Sequence, residues 1–229
     1  MFVKICGITN EDDALLATAL DADALGFVFA PSKRQVPLET VRDIVKRLPR
    51  EVHTVGVFRN ERPKVVVETA NRAGLHGVQL HGAEPLSEVE WIRERVQFVI
   101  QAFVAGEPAL ADAAKSAADV ILVDSPSPGS GKVFDWQLAE GAPPGKRLLL
   151  AGGLTPANVG DAIRLVRPWG VDVASGVESA PGLKDPTKMR EFVQAAREAA
   201  LDIEETTIDL TVDDNVPGIT RPWDWQIDE

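Results

Sequence analysis

MFVKICGITNEDDALLATAL, residues 1–20, contains the unit from which the fold is read: an apolar run, FVKIC at 2–6, then a polar loop and a segment carrying Ala14, Leu15, Thr18 and Ala19 at helical spacing. The same unit recurs along the chain. Further runs are ALGFVF at 24–29, HTVGVF at 53–58, GVQLH at 77–81, FVIQAF at 98–103, VILVD at 120–124, RLLLAG at 147–152 and GVDVAS at 170–175. Short β-rich runs alternating with helical patterns, such as Val41, Ile44, Val45 and Leu48, mark βα units and a parallel sheet. The clearest helix start is Leu154-Thr155-Pro156, with Thr155 as N-cap and Pro156 as first helical residue. Eight such units close naturally into a single-domain α/β fold, a (β/α)8 TIM barrel over residues 1–201. An open doubly wound sheet has the same local pattern, and only the count of runs favours closure.

The remaining 202–229 segment is different in kind. It is acidic, has no clear period over its length, and reads either as a partly disordered solvating tail or as a segment that docks Ile208, Leu210, Val212, Trp223 and Trp225 on the barrel or on a second subunit. The whole chain has 229 residues, 45% of them hydrophobic and 26% charged, which suits a globular protein with a sizeable core. No apolar run approaches the roughly 18–20 residues of a membrane span, and MFVKICGITN lacks the layout of a signal peptide, so a cytoplasmic protein without membrane contact is expected. The net charge of −11 argues against nucleic-acid partners, which need a basic stripe. With 35 acidic against 24 basic residues, the composition is compatible with a salt-rich cytoplasm. One cysteine excludes an internal disulfide, and three scattered histidines give no metal-ligand spacing.

In a barrel the reactive groups lie at the C-terminal ends of the strands. Cys6 ends the first run; alternation turns Lys4 and Cys6 inward and Val3 and Ile5 toward the helices, and the Lys4 cation would favour a thiolate. Cys6 can equally be a small buried hydrophobe. Asp124 ends the sixth run, where a carboxyl group can exchange protons or simply cap the following SPSPGSGK loop. Glycine loops follow the late strands: Gly129-Ser130-Gly131-Lys132, Gly152-Gly153-Leu154-Thr155, and Ser175-Gly176-Val177-Glu178-Ser179. The last two sit where barrels commonly bind phosphate through backbone amides. Arg34 is a candidate clamp for a substrate carboxylate or a solvated loop charge, Gln79 and His81 can hydrogen-bond substrate or form a structural inward pair, and Trp136 is expected to pack. No GxGxxG turn or Walker loop is present, so no cofactor is expected. The residues alone thus describe a barrel enzyme moving protons on a small phosphorylated substrate.

KICGIT at 4–9, DALGFVFAPSKR at 23–34, GVQLHG at 77–82, GSGKVFDW at 129–136, LAGGLTPANV at 150–159 and GVDVASGVESAPGLKD at 170–185 together resemble phosphoribosylanthranilate isomerases. The resemblance spans residues 2 to about 200 and implies a cofactor-free aldose–ketose isomerase of tryptophan biosynthesis, monomeric or homodimeric. It implies an Amadori rearrangement with Asp124 as general acid on the ribose ring oxygen and Cys6 as general base at C2′. It further implies that Arg34 meets the anthranilate moiety and that the loops at 152–155 and 175–178 hold the phosphate. Lys4, Arg34, Gln79, His81, Gly152, Gly153, Ser175, Gly176 and Val177 are accordingly expected to bind substrate. The strand-six loop is shorter than the usual family form, and the 202–229 tail has no counterpart in it. Other phosphosugar barrels would require metal-binding His and Asp, or Lys and Glu, at strand ends, and neither set is present. A non-catalytic binding barrel would have no need of both Cys6 and Asp124.

Overall fold

The computed structural model describes residues 1–125 and 145–209, with side chains described through Ile203. Eight strands, β1 (Phe2–Cys6), β2 (Ala24–Val28), β3 (His53–Phe58), β4 (Gly77–Leu80), β5 (Phe98–Val104), β6 (Val120–Asp124), β7 (Arg147–Leu150) and β8 (Gly170–Val173), pair in chain order and all in parallel. β8 returns to β1 with Phe2 opposite Gly170 and Lys4 opposite Asp172, so the sheet closes and the open-sheet alternative is excluded. Around it lie α1 (Glu11–Ala19), α2 (Leu38–Val45), α3 (Pro63–Ala73), α4 (Leu86–Arg93), α5 (Val159–Val166) and α6 (Pro186–Asp209). A 3-10 segment, Pro108–Lys115, replaces the α-helix after β5. A two-stranded hairpin, β9 (Glu178–Ala180) and β10 (Leu183–Lys184), follows β8 at the barrel mouth.

Alternation along the strands divides the apolar residues between two cores. Val3, Ile5, Leu25, Phe27, Ile121 and Val171 point outward and are buried against the helices, while Phe2, Val55, Ile100, Leu122 and Leu149 fill the interior. Each such side chain contributes about 1.5–3 kcal/mol relative to exposure. Phe2 and Trp169 stack at the bottom of the barrel with ring centroids 4.3 Å apart.

Three local expectations change. On α1 the buried stripe is Ala14 and Ala17, while Leu15, one residue round the helix, is 40% exposed. The helix expected to start at Pro156 begins as α-helix at Val159. The Thr155 carbonyl accepts from both Asn158 and Val159 amides, and Asn158 Oδ1 accepts from the Thr155 amide at 2.7 Å, so this asparagine closes a turn ahead of the helix. At the C-terminal end, α6 runs through residue 201 to Asp209, and Asp202 pairs with Arg164 of α5 at 2.8 Å, so helical structure continues past the expected end of the barrel domain. The Gly129–Lys132 loop, Trp136, Leu210, Val212, Trp223 and Trp225 lie outside the described residues, as does the side chain of Ile208.

Candidate active site

The C-terminal strand ends enclose a cleft of about 970 Å³, counting its open mouth, to which β1, β4, β6, β7 and β8 or their loops all contribute. Its first wall follows from strand register. Lys4 and Asp172 are partners across the β8–β1 seam, and Lys4 Nζ lies 2.8 Å from Asp172 Oδ1 with no exposure to solvent. Lys4 therefore does not line the cleft; contrary to its expected contact with substrate, it sits beneath the floor. Burial disfavours its charge, but Asp172 and Cys6 more than compensate and hold its pKa above the ordinary lysine value.

Cys6 does line the cleft, and its register partner on β2 is Gly26. A Cβ on Gly26 would stand 2.7 Å from the Cys6 sulfur and 3.1 Å from Lys4 Nζ, so glycine is what leaves room for both heads. Burial pushes the Cys6 thiol up, and the opposing pull of Lys4 does not win. The expected thiolate is thus not the resting state: desolvation of a buried sulfur anion outweighs one cation whose charge is already shared with Asp172.

Arg34 reaches this wall from the loop after β2. Its stem lies against Gly7, at φ +74°, where a side chain would collide with Arg34 Cδ. Its head is already engaged: Nε and Nη2 donate to the two Glu178 carboxylate oxygens at 2.7 and 2.8 Å. The Nε–Nη2 edge is therefore occupied, and Nη1 stands outside that pair on a residue that lines the cleft. Burial pushes the Glu178 carboxyl upward, but Arg34 and Lys184 together hold it below the ordinary carboxylate range. Lys184, on β10, donates to the Cys6 carbonyl at 2.6 Å, the Ala174 carbonyl at 3.0 Å and Glu178 at 3.2 Å. Burial lowers its pKa below the usual lysine value despite these partners.

The facing wall carries Gln79, His81 and Asp124. Gln79 Nε2 lies 2.8 Å from His81 Nδ1, and His81 Nε2 lies 3.2 Å from Asp124 Oδ2. With the Gln79 amide nitrogen as donor, Nδ1 accepts and the ring proton sits on Nε2, facing Asp124. The Ser125 amide donates to Asp124 Oδ1 at 2.7 Å. Between the two walls, Gly152 (φ +88°) and Gly153 (φ +67°) turn the chain after β7 and line the cleft beside Ser175 and Gly176. Gly176 rests directly on the Leu154 carbonyl, where a Cβ would collide, so the two glycine loops form one continuous cradle. Val177 closes a 3-10 turn with its side chain wholly buried in the outer core, so only its backbone is available to a ligand.

Of the expected site residues, Cys6, Arg34, Gln79, His81, Asp124, Gly152, Gly153, Ser175 and Gly176 line one cleft, whereas Lys4 and the Val177 side chain do not. Sequence reading missed Arg59, which follows β3 into the cleft, and Asp172, Glu178 and Lys184. Alternation along GVDV would have turned Asp172 inward; nothing local marks Glu178 or Lys184, whose partners lie on other strands. Among the described residues, no His, Cys, Asp and Glu cluster could hold a metal ion.

Residues 3–195 match the family described as N-(5'phosphoribosyl)anthranilate (PRA) isomerase. A relative of that name from Desulforudis audaxviator is 47% identical over 204 residues, covering 86% of this chain and 98% of the relative. The crystal structure of phosphoribosyl anthranilate isomerase from Thermus thermophilus superposes with a TM-score of 0.82 at 40% identity, covering 86% of this chain and 99% of that one. A phosphoribosyl anthranilate isomerase crystallised with reduced 1-(o-carboxyphenylamino)-1-deoxyribulose 5-phosphate gives 0.77 at 40% identity, with the same two coverages, 86% and 99%.

Proposed function

The chain belongs to the N-(5'-phosphoribosyl)anthranilate isomerase family, and from that membership and the cleft we infer its activity and the role of each residue. It is an aldose–ketose isomerase of tryptophan biosynthesis that converts N-(5'-phosphoribosyl)anthranilate to 1-(2-carboxyphenylamino)-1-deoxyribulose 5-phosphate. Asp124 gives its proton to the ribose ring oxygen; the C1′–O bond breaks and the nitrogen lone pair forms an iminium. Cys6, as thiolate, removes the C2′ proton, and the electron pair moves to neutralise the iminium as an enolamine. Loss of the O2′ proton and protonation at C1′ then give the aminoketose.

The resting thiol fits this sequence. Burial and Asp172 push the Cys6 thiol up before substrate enters; the iminium adds positive charge beside it, so that the thiol gives its proton to solvent and the resulting thiolate takes the C2′ proton. Lys4 acts on Cys6 from below the floor. Gln79 and His81 orient Asp124, Arg34 meets the anthranilate carboxylate through Nη1, and the amides of Gly152, Gly153, Ser175, Gly176 and Val177 receive the phosphate. Monomer and homodimer would carry the same site, because all these residues come from one chain. No helix among the described residues is long and apolar enough to cross a membrane, and we place the enzyme in the cytoplasm with its substrate.

The observation that carries this reading is that Cys6 on β1 and Asp124 on β6 face one cleft alongside the two-loop cradle. A fluorescence progress curve with freshly prepared phosphoribosylanthranilate tests it. Substrate loss that depends on Cys6 and on Asp124 is expected; wild-type turnover by Asp124→Asn would exclude the acid role.

A further inference from the structure

Arg34 is held more tightly than a substrate clamp needs to be. Its stem crosses Gly7, the backbone bend that immediately follows Cys6, and its Nε–Nη2 edge is fully engaged by the two oxygens of Glu178. Glu178 is in turn fixed from two sides: Lys184 Nζ donates to its Oε1, and Lys188 Nζ donates to its backbone carbonyl at 2.8 Å. Lys184 also grips the carbonyls of Cys6, the end of β1, and Ala174, the residue after β8, while its amide donates to Asp13 Oδ2 of α1 at 2.9 Å. Glu178 and Lys184 lie on the β9–β10 hairpin and neither lines the cleft, so what they do for substrate they do through Arg34 and Cys6.

We propose that Glu178 is a positioning residue that sets the plane of the Arg34 guanidinium, and that through it the β9–β10 hairpin selects substrates whose aryl ring carries a carboxylate. The physical ground is geometric and electrostatic. A two-point ion pair fixes the guanidinium plane and its rotation, so Nη1 is presented in one direction and the entropy of ordering a long side chain is lost on folding, not on binding. Arg34, Glu178 and Lys184 together carry a net charge of +1, while Lys4 and Asp172 cancel. This trio therefore presents one uncompensated positive charge, the complement of one carboxylate, in one orientation. A neutral aryl amine gains nothing from it.

The proposal rests on the isomerase reading, and its test separates the two. Wild type and Glu178→Gln, a near-isosteric change that removes the charge, are assayed on phosphoribosylanthranilate and on the adduct of ribose 5-phosphate with aniline, which lacks the ortho carboxylate. On the carboxylated substrate KM is expected to rise about tenfold with kcat little changed, the size of one misplaced charge-assisted hydrogen bond. On the aniline adduct wild type and variant should agree within about twofold, and Arg34→Met/Glu178→Gln should be no worse than Arg34→Met alone, because the effect passes through Arg34. Equal losses on both substrates, or additive losses in the double variant, would show that Glu178 merely supports the fold and overturn the proposal. An unchanged KM on the carboxylated substrate would overturn it as well. Wild-type enzyme inert toward both substrates would overturn the isomerase reading itself and the proposal with it.

Discussion

The two walls of the cleft solve opposite problems. The wall built from β1, β2, β8 and the β9–β10 hairpin surrounds a single thiol with Lys4, Asp172, Arg34, Glu178 and Lys184, and each of these charges has an opposite partner within hydrogen-bonding distance. Among the described residues, the wall built from β4 and β6 gives Asp124 an amide N–H, a histidine ring and, one step behind, an uncharged glutamine. A buried thiol becomes a base only where charge is at hand to offset desolvation. For a carboxyl group proposed to hand over a proton, a fixed cation beside it would favour its anion.

Removing the reacting groups should break the comparison most. Cys6→Ala and Asp124→Asn are each expected to lower kcat by about 10³-fold, within the range of general acid–base catalysis, measured as initial rates of fluorescence loss. Comparable losses from the two would mean that both walls are needed. Next comes the charge beneath the thiol. Lys4→Met strands Asp172 in a buried site and should cost about 3–5 kcal/mol of stability by denaturant unfolding, while Lys4→Met/Asp172→Asn should recover most of it. A mild effect in the single variant would show that the ion pair is not what the wall depends on.

A smaller effect sharpens the account of the thiol. Because burial raises the Cys6 pKa, alkylation of the free enzyme by iodoacetamide should keep accelerating at pH values where an exposed thiol has reached its plateau. A plateau near neutrality would mean a resting thiolate. Smallest is a contrast with the bottom of the barrel. Burial lowers the pKa of His53 and His76, and the Thr54 amide donates to His76 Nδ1, a bond that protonation would destroy. Both rings are neutral in the fold, with folded pKa values below the unfolded value of about 6.5. The unfolded chain therefore binds more protons in acid: stability is full above that value and declines as pH falls through it. A lower denaturant midpoint at pH 5.5 than at pH 7.5 is expected, with the difference reduced in His76→Gln.

Much of this fold is legible because its rules are local. Period-two alternation in FVKIC is enough to turn Lys4 and Cys6 inward and Val3 and Ile5 outward, and the eight runs match the eight strands closely. Helix ends are less legible, since Asn158, not Thr155, closes the turn before α5. Cys6, Asp124 and the two glycine loops are readable because each terminates a strand, and in a barrel all strand ends converge. What the chain determines by itself is therefore the set of groups at the mouth. Which of them line the cleft is decided only by closure of the sheet. Register across the β8–β1 seam sets Lys4 against Asp172 and withdraws it from the cleft, and a hairpin from the distant C-terminal part of the chain sets Glu178 on Arg34. Those pairs are 168 and 144 residues apart, and no periodicity in the sequence reaches across such distances.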